Sequence, residues 1–212
     1  DEFMRDIIMI LKSVGAIITD SHFVGTSGRH MPGYIKKDKL TTHTKITSEV
    51  GKLFADKFKN KKIEIVVAPA VGGIPLSHWT AYHLSQITKK DVLSLYTEKD
   101  EDSNQIFKRG YDLIVKNKRV LIVEDATTTG GSVKKVIKSV KKAGGRVVAV
   151  CVMINRDPKM VNSKSVGAPC SSLGVFKVPS YEAKNCPLCK NHIPMNTEVG
   201  WGKKYLETKN NK

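Results

Sequence analysis

The chain has 212 residues, of which 40 % are hydrophobic and 26 % charged, and its formal net charge is +16. These values are typical of one α/β domain with a buried core, and no apolar run is long enough for a membrane span. The excess charge comes from lysines spread along the chain. Because aromatic residues are not interleaved with them, a solvated surface is favoured over a nucleic-acid partner.

The start of the chain lacks the apolar stretch of a signal peptide. We therefore expect a cytoplasmic protein without a membrane partner. Asp1–Phe3 precede Met4, and we expect them to be a remnant of cloning rather than part of the natural chain.

The hydrophobic pattern predicts helices and strands that alternate along the chain. In the N-terminal part the predicted elements are a helix over Met4–Val14, an extended piece over Ala16–Ile18, a loop or hairpin over His22–Leu40 and a helix over Thr44–Lys57. Further along they are strands over Ile63–Val67, Asp91–Tyr96, Arg119–Val123 and Arg146–Ile154, with helices over Ile74–Ser85 and Ser132–Ala143. This order predicts an α/β fold, in which a mostly parallel sheet carries helices on both faces.

The segment from Val120 to Ser132 carries the strongest chemical signal. An apolar strand leads into two adjacent carboxylates, and a loop of small and hydroxylated residues then leads into a helix. These residues are Glu124, Asp125, Ala126, Thr127, Thr128, Thr129, Gly130, Gly131 and Ser132. Ligands of open α/β sheets bind at this edge, and a helix N-terminus attracts anions. Carboxylates for sugar hydroxyls and a nest for a phosphate together suit a ribose 5-phosphate.

The simplest alternative is a capped helix, since Thr and Ser commonly precede helices. Two carboxylates at the end of an apolar strand have no packing reason to be there, which favours a ligand site. No Gly-Lys-Ser/Thr follows a glycine-rich turn, so a P-loop is excluded, and the Rossmann glycine fingerprint is absent.

The segment resembles the phosphoribosyl-diphosphate motif of the type I phosphoribosyltransferases. The resemblance implies that Glu124 and Asp125 hold the ribose hydroxyls and that residues 126–132 hold the 5-phosphate. The stretch Val66–Pro75 resembles the pyrophosphate loop of that family. It would place the leaving group on Ala70, Val71, Gly72 and Gly73.

Other segments resemble the orotate branch of the family, and the resemblance covers nearly the whole chain. It implies a base site formed by Thr26, Ser27, Gly28, Arg29, Tyr34 and Arg156, and catalytic roles for Lys99, Lys108, Arg109 and Asp125. A guanidinium can bind a carboxylate through two parallel hydrogen bonds. Arg156 therefore suits the carboxylate of orotate. The alternative is an ion pair between Arg156 and the adjacent Asp157. Residues 1–40 and about 175–212 would form a hood on a single domain.

The family resemblance further implies Mg²⁺ bound mainly through the substrate diphosphate, and a homodimer whose mobile loop reaches the neighbouring site. We expect no metal site made by the protein alone. Cys186 and Cys189 form one CxxC, half of a tetrahedral zinc site, which Cys170 and His192 could complete. Ordinary thiols are the favoured interpretation.

The expected function is transfer of a phosphoribosyl group to orotate, giving orotidine 5′-phosphate and diphosphate for pyrimidine biosynthesis. One alternative is transfer to another nucleobase, a purine or uracil. Another is a catalytically silent regulator on the same fold that binds nucleic acid through the +16 charge.

Overall fold

The computed structural model describes residues 6–25 and 27–210. The N-terminal elements are α1 (Ile7–Ser13), β1 (Ile17–Ile18), β2 (Phe23–Val24), β3 (His30–Met31), β4 (Tyr34–Ile35), α2 (Asp38–Thr41) and α3 (Thr44–Phe58). The central elements are β5 (Ile65–Pro69), α4 (Ile74–Thr88), β6 (Leu93–Lys99), β7 (Gln105–Ile106), α5 (Tyr111–Val115), β8 (Arg119–Thr127), α6 (Gly131–Lys142) and β9 (Arg146–Asn155). The C-terminal elements are α7 (Ser163–Val166), β10 (Cys170–Val175), a 3-10 turn (Ala183–Asn185), α8 (Pro187–Lys190) and α9 (Gly202–Asn210).

A sheet of six strands forms the centre of the described chain, in the order β10-β9-β8-β5-β6-β7. Neighbouring strands run parallel except for β7, which pairs antiparallel with β6. The predicted mostly parallel α/β sheet is therefore confirmed. Strand β10 was not predicted, because its sequence Cys-Ser-Ser-Leu-Gly-Val has no continuous β-branched run. Its strand conformation comes from pairing with β9.

Both faces of the sheet are covered by apolar side chains. Along β8, Leu121 and Val123 pack in the cluster that contains Val50 and Phe54 of α3. Val120 and Ile122 point to the opposite cluster, with α6. Since successive side chains of a strand alternate between faces, a strand that is apolar throughout has to be covered on both sides, as predicted.

Strand β8 is longer than the hydrophobic pattern predicts. It continues past Val123 to Thr127, because its parallel register with β9 pairs Glu124 with Val152 and Thr127 with Asn155. Glu124 and Asp125 therefore lie within the paired part of β8, close to its C-terminal end, rather than in the loop that follows it. Backbone pairing, which does not depend on the side chain, holds them in place.

The two ends of the chain meet beside the sheet. Strands β2 and β3 form an antiparallel hairpin. His30 exchanges backbone hydrogen bonds with Tyr181 at 2.8 and 2.9 Å, and Asn196 donates its backbone N–H to the His22 carbonyl at 2.8 Å. Among the helices described, none combines the length and apolar character that a membrane crossing requires.

Candidate active site

Glu124 and Asp125 lie at the carboxyl edge of the sheet, and their side chains are buried. Burial, and then the neighbouring Asp125 carboxylate, raise the pKa of Glu124 to about 8. Both effects oppose the charged form of a carboxyl group. A buried carboxyl group whose pKa is raised in this way, at the carboxyl end of a strand, is typical of a functional site.

Lys37, at the start of α2, forms an ion pair with Asp125. Its Nζ donates to Oδ1 at 2.8 Å and lies 2.6 Å from Oδ2. The lysine is 88 residues away in sequence, so no local pattern could have identified it. The ion pair orients the Asp125 carboxylate and supplies a cation at the sheet edge.

The loop after β5 faces the same acidic pair. A Cβ atom added to Gly72 would overlap Oδ2 of Asp125, so only glycine permits this approach. Gly73 also packs closely, since an added Cβ would lie 2.8 Å from both the Ala68 Cβ and the Pro69 carbonyl oxygen, and the peptide bond between Ala70 and Val71 is cis. The fold thus brings together the two segments that the sequence analysis predicts for the diphosphate and the ribose.

The loop from Thr127 to Ser132 leads into α6 as predicted. The Gly130 backbone N–H donates to Thr127 Oγ1 at 3.0 Å, and Gly130 has the positive φ of 74° that glycine adopts most readily. Thr128 and Thr129 are exposed. The first N–H groups of α6 have no acceptor within the helix, which suits the predicted role of this loop as an anion site.

A cavity of about 480 Å³ lies beside this loop. Thr128 and Thr129 form part of its wall, so it opens onto the anion site. Of the residues predicted to contact the base, its lining includes Ser27, Arg29, Tyr34 and Arg156. The other lining residues were not predicted to contact the base; they are Gly25, Met31, Asp157, Lys177, Val178, Ser180, Gly200 and Trp201.

One predicted base residue, Gly28, is absent from the wall of this cavity. Another, Thr26, lies outside the described residues. Arg29 lines the cavity but also holds the C-terminal tail, since its guanidinium donates to Ser180 Oγ at 3.0 Å and to the Ser180 carbonyl at 2.8 Å. Arg29 therefore also joins the N-terminal and C-terminal segments that line this cavity.

Arg156 directly follows β9 and is half-buried. Its backbone N–H donates to the Thr127 carbonyl at 2.9 Å, and its Nη2 lies 3.5 Å from the Met31 sulfur. Burial lowers the pKa of its guanidinium. Asp157 instead accepts the backbone N–H groups of Lys159 and Met160. Within the described part of the chain, no carboxylate forms an ion pair with Arg156.

The predicted catalytic loop forms a hairpin at the sheet edge. Lys99 ends β6 and pairs with Gln105 of β7. Glu98 binds Lys108 Nζ at 3.5 Å and Arg109 Nε at 3.3 Å. None of these three basic residues lines the cavity described above.

Cys186 and Cys189 do have metal-ligating neighbours, but not the two that the sequence suggested. The side chains gathered around them are His22 and His30. Cys170 lies in β10, where its backbone bonds with Ser163, and His192 is exposed. Neither Cys170 nor His192 belongs to this cluster.

Comparison with known proteins shows the same fold and sequence pattern. The phosphoribosyl transferase domain family matches residues 36–168. Orotate phosphoribosyltransferase of Caldanaerobacter subterraneus subsp. tengcongensis is 35 % identical over 179 residues, 84 % of this chain and 88 % of that protein. The enzyme of the same name from Thermus thermophilus is 31 % identical over 190 residues, 90 % of this chain and 98 % of that protein.

Solved structures agree on the fold. Mycobacterium tuberculosis orotate phosphoribosyltransferase in complex with inorganic phosphate aligns with a TM-score of 0.64 at 20 % identity, covering 80 % of this chain and 95 % of that chain. The same enzyme in complex with 5-phospho-α-D-ribosyl 1-diphosphate aligns with a TM-score of 0.61 at 19 % identity, covering 81 % and 96 %. Given the acidic strand end, the two converging loops and these matches, the chain belongs to the phosphoribosyltransferase family.

Proposed function

We propose that the chain is an orotate phosphoribosyltransferase, which transfers the phosphoribosyl group of 5-phosphoribosyl 1-diphosphate to orotate. The bond between C1 of the ribose and the diphosphate oxygen breaks, and a bond forms between C1 and a pyrimidine ring nitrogen, which releases its proton. The products are orotidine 5′-phosphate and diphosphate. Relatives of this name match 84–90 % of the chain.

The sugar phosphate binds where the acidic pair and the anion loop adjoin. The 5-phosphate accepts hydrogen bonds from the N–H groups at the start of α6 and from the hydroxyls of Thr128 and Thr129. The ribose hydroxyls donate to Glu124 and Asp125. Positive charge that develops at C1 in the transition state is stabilised by the Asp125 carboxylate, which burial keeps out of bulk water.

The diphosphate lies over the loop from Ala70 to Gly73. The close approach of Gly72 to Asp125 supports this, because it places the leaving-group loop directly beside the ribose site. The Lys37 ammonium lies 2.6 Å from the Asp125 carboxylate. It is also close to the diphosphate loop, since a Cβ atom added to Gly72 would be 4.0 Å from Lys37 Nζ. We infer that Lys37 also attracts the departing diphosphate.

The donors present suit Mg²⁺ bound through substrate rather than by the protein alone. Oxygen ligands are what Mg²⁺ prefers, and Glu124 and Asp125 supply them. Among the described residues, no group of three or more metal ligands forms around this pair, so diphosphate oxygens and water would complete the shell. The ion would neutralise charge on the leaving group.

The choice of orotate as the base depends on Arg156. This half-buried guanidinium lines the cavity and has no carboxylate partner among residues 6–25 and 27–210. Orotate carries a carboxylate, whereas uracil and the common purines do not. A site with a desolvated, unpaired charge rejects ligands that leave the charge unpaired. The terminal segments, residues 6–40 and 175–210, act as a hood over the base.

Lys99, Lys108 and Arg109 act on the diphosphate from the neighbouring subunit of a homodimer. This assignment explains why the three residues lie away from the cavity of their own chain. For the hairpin to reach the substrate, Glu98 must release Lys108 and Arg109. Both contacts are partly exposed ion pairs, which are weak and easily exchanged.

The proposed function is tested by assaying orotate, uracil and adenine as acceptors with phosphoribosyl diphosphate and Mg²⁺. We expect the wild type to prefer orotate by at least about 100-fold, since unpaired buried groups penalise the wrong ligand strongly. Arg156→Ala should lose most of that preference. The control Arg146→Ala, at the exposed opposite end of β9, should keep it.

Two results would contradict the proposal. A wild type that uses uracil or adenine as readily as orotate would leave only the broader family activity. A wild type without turnover that binds RNA with a steep salt dependence would favour the regulator instead.

A further inference from the structure

Two histidines and two cysteines from opposite ends of the chain converge beside the hood. His22 precedes β2, His30 begins β3, and Cys186 and Cys189 flank the first turn of α8. One ligand atom from each lies within 4.8 Å of all the others. His22, His30 and Cys186 are almost completely buried, and Cys189 is partly buried.

We propose that these four side chains bind one Zn²⁺ ion. A tetrahedral site with Zn–N bonds of about 2.1 Å and Zn–S bonds of about 2.3 Å has ligand-to-ligand edges of roughly 3.4–3.8 Å. His22 Nε2 lies 3.8 Å from Cys186 Sγ and 3.9 Å from Cys189 Sγ, while His30 Nδ1 lies 3.4 Å from Cys189 Sγ. The two imidazole nitrogens are 2.8 Å apart and need to separate by only about 0.6 Å.

A second contact prepares His22 for metal binding. Its Nδ1 lies 2.8 Å from the Ile193 carbonyl oxygen. Because a carbonyl can only accept, Nδ1 carries the proton, and the lone pair of Nε2 points toward the cluster. Metal-binding histidines usually have such a backbone partner on the other ring nitrogen, which fixes the tautomer.

The donor set selects the metal and its role. Two thiolates and two imidazoles in a tetrahedral arrangement suit zinc, whereas Mg²⁺ and Ca²⁺ require oxygen ligands. Four protein ligands leave no position for water or substrate, so the site is structural rather than catalytic. A redox-active dithiol would need only the two cysteines, and it does not account for two imidazole nitrogens within 3.4–3.9 Å of the sulfur atoms.

The ion would join the β2–β3 hairpin to the C-terminal tail. Both segments also form the wall of the cavity, through Gly25 and Arg29 on one side and Ser180 and Trp201 on the other. The backbone bonds of His30 with Tyr181 and of His22 with Asn196 hold the same two segments. Loss of the metal would therefore loosen the proposed base site while leaving the sheet and the acidic pair intact.

The test measures zinc in the purified full-length chain by elemental mass spectrometry after exhaustive dialysis. We expect about one zinc per chain for the wild type and a loss of at least tenfold for Cys189→Ser. The matched controls are Cys170→Ser and His192→Ala, which remove the same side-chain types outside the cluster, and both should keep the metal.

A second measurement protects the test against variants that fail to fold. Wild-type protein stripped with a chelator is titrated with Co²⁺, and we expect the intense absorption of thiolate-bound tetrahedral cobalt, saturating at one equivalent and reversed by zinc. Wild type that takes up neither metal after reduction would overturn the proposal. Equal metal loss in Cys170→Ser and Cys189→Ser would overturn it too, as would a Cys186–Cys189 disulfide in protein that stays metal-free on reduction and resupply.

Discussion

At the scale of single residues, the carboxyl group of Glu124 is the clearest case of an acidic side chain whose surroundings disfavour its ionised form. Burial and the adjacent Asp125 raise its pKa to about 8. In an unfolded chain the same group has the ordinary value of 4.5. This cost supports the proposed ligand-binding role of Glu124, because an apolar side chain would pack there without it.

The raised pKa predicts how stability depends on pH. Between pH 4.5 and about 8 the unfolded chain has lost the Glu124 proton while the folded chain retains it. The free energy of unfolding should therefore fall as pH rises through this window, by at most about 1.4 kcal/mol per pH unit from this group, and should level off above it.

Urea unfolding of the wild type and of Glu124→Gln, from about pH 5 to about pH 9, measures this contribution. The variant cannot ionise, so its stability should fall less with pH than that of the wild type. The exposed Glu207→Gln should behave as the wild type. Parallel curves for wild type and Glu124→Gln would show that the carboxyl group is not held in its neutral form.

At the scale of secondary-structure elements, the β6–β7 hairpin carries Lys99, one of the residues proposed to act on the diphosphate. It is attached to α6 through Lys135, whose Nζ donates to the Ser103 carbonyl at 2.6 Å, and through the Ser139 hydroxyl on the Gln105 carbonyl. At the base of the hairpin, the buried Thr97 hydroxyl also donates to Gln105 Oε1 at 2.7 Å, so the hairpin is anchored to the interior of the sheet as well as to α6.

Lys99→Ala should lower kcat by at least about tenfold with little change in KM for phosphoribosyl diphosphate, the pattern of an interaction made mainly in the transition state. The control is Lys90→Ala, an exposed lysine before β6, which should have no effect. Steady-state kinetics at saturating orotate supplies both constants. A rise in KM with unchanged kcat would instead make Lys99 a binding residue.

At the scale of the whole molecule, the proposed homodimer makes a prediction that a monomer does not. In the double variant Glu124→Gln/Asp125→Asn the acidic pair is lost but the hairpin is intact, whereas Lys99→Ala keeps the acidic pair. If the hairpin crosses between subunits, a mixed dimer contains one site with both parts. Random reassociation of equal amounts should then restore about a quarter of wild-type activity, more than either impaired variant has alone.

The measurement mixes the two variants, dissociates and refolds them together, and compares turnover with that of each variant treated alone. A mixture no more active than the sum of its parts would place Lys99 on the same subunit as the acidic pair it serves. Circular dichroism melting of the double variant checks that its fold is intact.

The sequence by itself was sufficient wherever the decisive information is local. The alternating strands and helices, the acidic pair and the glycines at 72, 73 and 130 depend on side-chain periodicity or on backbone conformations that neighbouring residues set. Helix α6 begins at Gly131, one residue before the predicted start at Ser132. Arg156 was singled out through the family resemblance, and it lies directly after β9 in the wall of the cavity.

Only the tertiary structure decided the contacts between distant segments. Lys37 reaches Asp125 across 88 residues, and His22 and His30 approach Cys186 and Cys189 across more than 150. Strand β10 and the end of β8 likewise exist because a neighbouring strand offers hydrogen bonds. Such pairings are fixed by the packing of the whole chain, and the local sequence around one partner does not predict the other partner.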